Sequence, residues 1–534
     1  MTTINAETVE TKNKSGQWLD WIDAKSIAIG DRLNPLLVKE TRQALKSRQF
    51  VITFSLLLIA ALGWTIIGSI MLMPDIYTTP SAPRMLIGYY VVLAIPLLLV
   101  VPLAAYRSLE AEIDDGTLEL LSITSLSPWQ IVLGKLASAA LQMLLYFVAL
   151  FPCVAYAYTL RGVDLPTTLL MVLILAVVAM LLTTAGLFFA PLGRTRSARI
   201  LTMLGLFIML AIAEFMVGAL VINMIENGNS LPLSLTVYFV IAGGLVAISI
   251  GVLLLCTTAA QLTPESENSS TPVRLALLSL TTVIIGLSGY GLLVTVDSRE
   301  DLGAPISIAI IGLFFLWTFC SGIFVAESPT MTPRIRRELP SSFMSRLMLT
   351  WLTPGPGTGL VFSVVSMAVM VGVITFGLVY LTDTFGAQTR ALNRRFLART
   401  LELMVMYVSY VTCFLVFVRW IIGMVRRKNN PRAEVGFAAL IVVAVAAALI
   451  PYGVEMHFND YRDFQYSKWQ ITNWAWTLQR CSDGRLFNGE VYKVLAAAIS
   501  LFIASLLTMP STVLPRRIAT PERVLEEREK AKAV

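Results

Sequence analysis

The chain reads as an all-α polytopic membrane protein with about twelve transmembrane helices. Three observations predict this class. Of 534 residues, 56% are apolar and only 14% charged, with a mean hydropathy of +0.74; an ordinary soluble domain is about 25% charged. The apolar residues fall in long runs, and a spanning helix needs about 20 of them. In lipid every backbone polar group must be satisfied internally, which leaves helices as the form for such runs. The pI near 9.1 fits basic loops at one membrane face and does not call for nucleic acid.

About 30 polar residues come first and carry no signal-peptide pattern. The segment Asn34–Phe50 then reads as a helix, with Asn34 as N-cap and Pro35 at its first position. Lys39, Arg42 and Lys46 share one face, while Leu33, Leu37, Ala44 and Leu45 lie largely on another. This predicts a basic amphipathic helix lying on the inner membrane surface.

The predicted spans are 51–73, 85–106, 136–160, 167–190, 200–224, 234–258, 275–296, 305–326, 360–382, 401–425, 435–453 and 491–509. An even number puts both termini on one side. Placing the termini inside leaves 28 Lys and Arg in inner segments and 12 on the outer side, Lys493 at the outer end of the last span included, the arrangement that the positive-inside rule favours. The remaining one, Arg419, sits near the inner end of the tenth span and is expected to snorkel. Arg390, Arg394, Arg395 and Arg399 run against the trend, in the loop 383–400 that this topology places outside.

The polar break 261–274 divides the chain into a region 51–260 and a second six-helix region 275–509, and 510–534 is a soluble tail. No sequence repeat links the halves. The basic segment Glu327–Gly359, with Arg334, Arg336, Arg337 and Arg346, reads as positive-inside charge or as a contact for anionic lipid or a partner. Trp469, Trp474 and Trp476 suit the membrane interface of an outer loop.

The most telling segment is Glu110–Lys135, EAEIDDGTLELLSITSLSPWQIVLGK, read as a loop joining spans two and three. Each of its charges would cost roughly 2.5–3.5 kcal/mol at the bilayer centre, so it lies outside the membrane. Glu112, Asp114 and Asp115 can meet basic residues of a partner. Gly116 permits a tight backbone, and Leu118, Leu120 and Leu121 can fill a groove, with Thr117 and Glu119 between them. A plain solvated acidic loop is the alternative.

Three features together resemble the type-2 ABC exporter permease family: the basic helix before span one; the string Glu112, Gly116–Leu121; and Leu126, Ser127, Gly134 and Lys135 leading into span three. The family's Thr-Pro-Leu-Ser string has Ser125 in place of proline here, and Pro128 follows the serine. The resemblance covers about residues 30–270. It implies a six-helix permease domain over 51–260, a coupling loop at 107–135, a connector helix carrying Lys39, Arg42 and Lys46 within 1–50, and a separate ATPase subunit. It also implies a homodimer or a sister permease as partner, export as the direction, and the cytoplasmic (bacterial inner) membrane as the location.

No P-loop motif occurs, and Gly134-Lys135 lacks the upstream glycine and the following hydroxyl residue. The chain is therefore expected to bind no cofactor, ATP and Mg residing on the partner, and not to be an enzyme. One histidine (His457) and Cys153, Cys256, Cys320, Cys413 and Cys481, none at metal spacing, offer neither a metal site nor a Ser-His triad; the cysteines read as small apolar filler. Glu214 inside span five is a candidate pathway residue, since an intramembrane carboxylate is costly. Two other functions stay open: a proton- or ion-coupled secondary transporter using Glu214, and a non-transporting membrane scaffold.

Overall fold

The computed structural model describes residues 35–73, 79–116, 127–193, 195–228, 233–264, 267–298, 303–329, 331–340, 342–385, 394–426, 434–459, 466–485 and 488–508, with 515, 517–519, 521–524, 526 and 530. Among them every long element is a helix, and twelve helices are long and apolar enough to cross a membrane. The chain is an all-α polytopic membrane protein. It forms two compact units, 1–263 and 264–534.

Unit 1 begins with α1 (Pro35–Lys46) and continues through α2 (Arg48–Met71), α3 (Ala82–Asp114), α4 (Pro128–Thr159), α5 (Leu165–Phe189), α6 (Arg196–Asn227) and α7 (Leu233–Leu262). Ser47 separates α1 from α2: its hydroxyl donates to the Ala44 carbonyl and accepts from the Phe50 amide, so the first helix stops and the next is capped. α3 is the centre of the unit. Met85, Tyr89, Leu93, Leu97, Tyr106 and Leu109 along it are all buried, and α2, α4, α5 and α6 pack around it. Pro96 and Pro102 lack an N–H and crowd the preceding turn; the helix answers with a wider π turn at Ile95–Val100, where the Val101 amide donates to Pro96.

α2 shows most of its surface outward, as a lipid-facing helix should, with Ile52, Leu56, Ile59, Ile66 and Ile70 exposed. Lipid is as apolar as leucine, so polar pairs matter more in fixing such a helix. Thr53 meets Tyr146 at 2.8 Å, Thr65 meets Tyr89 at 2.6 Å and Ser69 meets Tyr156 at 2.9 Å.

Unit 2 runs α8 (Ser270–Ser298), α9 (Gly303–Val325), short helices α10 (Pro333–Glu338) and α11 (Phe343–Leu349), then α12 (Pro356–Phe385), α13 (Arg394–Val425), α14 (Glu434–Phe458), short α15 (Trp474–Ser482) and α16 (Asn488–Thr508). Arg419 departs from the sequence expectation. It does not snorkel: it is buried within unit 2, where it donates to Ser505 on α16 at 2.9 Å. Packing between α13 and α16 encloses it before it can reach an interface. Of the three loop tryptophans, Trp469 is exposed, whereas Trp474 donates to the Ala444 carbonyl at 2.8 Å and Trp476 contacts the rings of Tyr452 and Tyr466. Cys481 on α15 is buried, which pushes its thiol up to about 11 and keeps it an unreactive filler. Arg390 lies outside the described residues.

The closest approach of a glycine to another helix's backbone in unit 1 is at Gly186 on α5, where an added Cβ would stand 2.6 Å from the Pro102 carbonyl oxygen of α3. Backbone cannot swing aside as a side chain does. Gly186→Val is therefore expected to lower stability by about 1–3 kcal/mol, read as a fall in the thermal midpoint in detergent. Gly205→Ala on α6, with open space around it, is the control expected to keep the parent midpoint.

Candidate functional site

The sequence places a loop from Glu110 to Lys135; the structure shortens it from both ends. α3 runs on to Asp114, because Tyr106, Leu109 and Ile113 continue its apolar stripe into the core. Glu110, Glu112 and Asp114 thus stand on the last turns of a helix. Asp115 and Gly116 end it: Gly116 takes φ +66°, the left-handed stop that glycine adopts without steric cost. α4 begins at Pro128, behind Ser127. The Ser127 hydroxyl accepts from the Gln130 amide, and the Gln130 side chain accepts from the Ser127 amide at 2.9 Å, which closes a capping box. The proline that sits after the serine is therefore the first residue of α4, where its missing N–H costs nothing. Thr117, Leu118, Glu119, Leu120, Leu121 and Leu126 lie outside the described residues.

Two turns into α4, Lys135 is buried and needs partners. Its ammonium lies 2.9 Å from Glu112 and 3.3 Å from Glu40, and donates to the Ser108 hydroxyl at 2.8 Å. Glu40 comes from α1, Glu112 and Ser108 from α3. One cation therefore ties together the helix before span one and the two helices that flank the 117–126 segment. Glu40 is as buried as Lys135, while the basic residues of the same helix, Lys39, Arg42 and Lys46, all face outward. α1 is held to unit 1 by the acidic residue that the amphipathic reading passed over. Reading Lys135 only as part of a motif hid its role, although a lysine inside an apolar run demands a counter-charge.

A second ion cluster lies on the other side of α3. Arg199, in the first turn of α6, pairs with Glu110 at 3.0 Å and with Asp114; the Glu110 carboxylate also accepts from Tyr106 at 3.3 Å. The acidic end of α3 is thus shared: Glu112 turns inward to Lys135, Glu110 and Asp114 reach Arg199, and Asp115 is exposed. Beside the Lys135 cluster opens a cavity of about 630 Å³, with Lys39, Gln43, Arg107, Ser138, Gln142 and Tyr146 among its walls. On that side α1 meets open space instead of a close-packed wall.

Glu214 is half-buried on α6, within electrostatic reach of Tyr90 on α3. The Tyr90 hydroxyl is buried and finds no hydrogen-bond partner among the described residues. Gly134-Lys135 lies inside a helix, a geometry that offers no free backbone amides to a phosphate. Among the described residues no cluster of His, Cys, Asp and Glu is arranged to hold a metal ion.

Residues 35–240 match the family model described as ABC-2 family transporter protein. The segment 35–240 is similar to the ABC-2 type permeases, a family of membrane transport components, and the chain is a multi-pass membrane protein. The matched segment falls wholly within unit 1. No curated protein and no solved structure matches the chain.

Removing one member of a buried ion pair leaves the others uncompensated and costs about 3–5 kcal/mol. Lys135→Met, which strands Glu40 and Glu112 against each other, is expected to lower the detergent thermal midpoint strongly. Lys135→Met with Glu40→Leu and Glu112→Gln is expected to recover most of it. An unchanged midpoint in Lys135→Met would show that the cluster holds nothing together.

Proposed function

We propose that this chain is the permease subunit of an ATP-driven exporter whose ATPase is a separate polypeptide carrying ATP and Mg. Segment 107–135 docks on that ATPase, with Asp115, Gly116 and the leucines 118, 120 and 121 as its contact, and α1 is the connector helix. The observation that carries this reading is the Lys135 cluster. It joins α1 to the helix entering the docking segment and to the helix leaving it. A push on the segment is therefore delivered to α1, α3 and α4 together, and Arg199 passes it to α6. The chain does no chemistry; its task is to change conformation when the partner closes on ATP. The membrane is the bacterial inner membrane, with both termini cytoplasmic. Glu214 belongs to the translocation route in this reading. Its position near Tyr90 also favours a second one, in which the chain is a proton- or ion-coupled transporter and Glu214 carries the charge.

The partner is tested by purifying the tagged chain in mild detergent beside Asp115→Arg/Leu120→Asp. Glu112 is left intact, since its loss breaks the internal cluster. The parent is expected to bring down a P-loop ATPase and the variant at least tenfold less, about 1.4 kcal/mol of lost binding. No ATPase with the parent, or equal recovery with both, overturns the reading and leaves the Glu214 transporter to be tested by proton flux in Glu214→Gln.

Sidedness follows from labelling single cysteines in a chain whose five native cysteines are replaced. Cysteine at Ala387 is expected to react with an impermeant reagent on intact cells, and cysteine at Ala533 only after permeabilisation. The reverse pattern would invert the topology.

A further inference from the structure

Unit 2 has no family match and no sequence repeat with unit 1, yet its spans pack on the same plan. Counted within its own unit, the first span touches the second and third; the second touches the third, fourth and fifth; the third touches the fourth; the fourth touches the fifth and sixth. This holds for α2–α7 and for α8, α9, α12, α13, α14 and α16. Every substantial span pairing seen in unit 2 is present in unit 1; unit 1 adds one, between its third and sixth spans.

The polar base recurs as well. In unit 2 Arg274, at the start of the first span, is fully buried. It meets Glu327, just past the second span, at 2.7 Å, and donates to the Thr353 carbonyl, just before the third, at 2.7 Å. Glu327 closes the ring by accepting from the Gly355 amide at 2.7 Å and from Ser270 at 2.6 Å. Phe324 and Phe362 stack on the guanidinium at 5.1 and 5.4 Å. As in unit 1, one buried cation clasps the base of the segment that joins spans two and three. The cation has moved from the third span to the first, and the carboxylate remains at the end of the second.

That segment in unit 2 carries α10 and α11. Thr332 caps α10 and Ser342 caps α11, each hydroxyl accepting a backbone amide three residues on. Ile335 and Leu339 anchor α10 in the unit, while Arg334, Arg346, Met344 and Leu349 are exposed. Arg336 and Arg337 add to the charge. The surface is basic with apolar residues among the charges, where the corresponding stretch of unit 1 is acidic in sequence and exposes Asp115.

We infer that unit 2 is a second permease unit and that α10–α11 is its own ATPase-docking segment, suited to an acidic face of the partner. This rests on the proposed ATPase-coupled function. One chain then supplies both permease units of a transporter and works without a second copy of itself or a sister permease.

Two measurements test it. Two copies of the chain with different affinity tags are co-expressed and captured on one tag in mild detergent. The other tag is expected to be absent from the eluate; its recovery in comparable amount means that two chains assemble, and overturns the inference. In parallel, Met344→Asp/Arg346→Glu, both exposed, is compared with the parent after its thermal midpoint is shown to be unchanged. At least a threefold loss of co-purifying ATPase is expected. Unchanged recovery overturns the docking assignment, including the case where only binding to vesicles containing phosphatidylglycerol is reduced, which would make α10–α11 a lipid contact. Failure of the parent reading looks different: no ATPase is recovered with any form of the chain.

Discussion

A charge buried where helices pack must find its counter-charge within the protein, because burial strips it of most of its hydration. That constraint organises unit 1. Lys135 is drawn to Glu40 and Glu112, and to satisfy it α1 must lie against α4, α3 must extend past the apolar run, and Ser108 must face inward. Arg199 imposes the same condition on the other side of α3 and brings the start of α6 to the acidic helix end. The apolar core from Met85 to Leu109 packs the helices, but it is the ion clusters that decide which helix ends are tied to which.

Away from those ends, unit 1 is held as lipid-embedded helices usually are: by close approach at a small residue, as at Gly186, and by hydroxyl pairs such as Thr65–Tyr89. These contacts give a stable bundle without prescribing what passes along it. The outward walls of leucine, isoleucine and valine carry no chemical selectivity. Glu214 on α6 and the buried Tyr90 hydroxyl on α3 are polar groups within electrostatic reach of each other in that bundle.

The spans of unit 2 pair as those of unit 1 do, although the two sequences share no repeat. The requirement is one cation and one carboxylate at the base of the joining segment, and Lys135–Glu112 and Arg274–Glu327 both meet it. The cation sits on the third span in one case and on the first in the other. Alignment by position therefore finds no counterpart, although the physical role is the same. The exposed charges beside the joining segments differ in sign, Asp115 in unit 1 against Arg334 and Arg346 in unit 2, since exposed residues are not fixed by the packing beneath them.

The twelve spans were legible in the sequence because lipid imposes one rule on all of them: about 20 apolar residues in a helix. The family resemblance was legible in the string from Glu112 to Lys135, and Pro128, its departure from the pattern, proves to be an ordinary helix start. What lay beyond the sequence was the pairing of distant charges. Nothing local marks Glu40 as the partner of Lys135, 95 residues away, or makes Arg419 a donor to Ser505 instead of a snorkelling residue. Hydropathy is a property of each segment by itself and survives in a linear reading. Which buried charge meets which is a property of helix packing, and only the tertiary structure decides it.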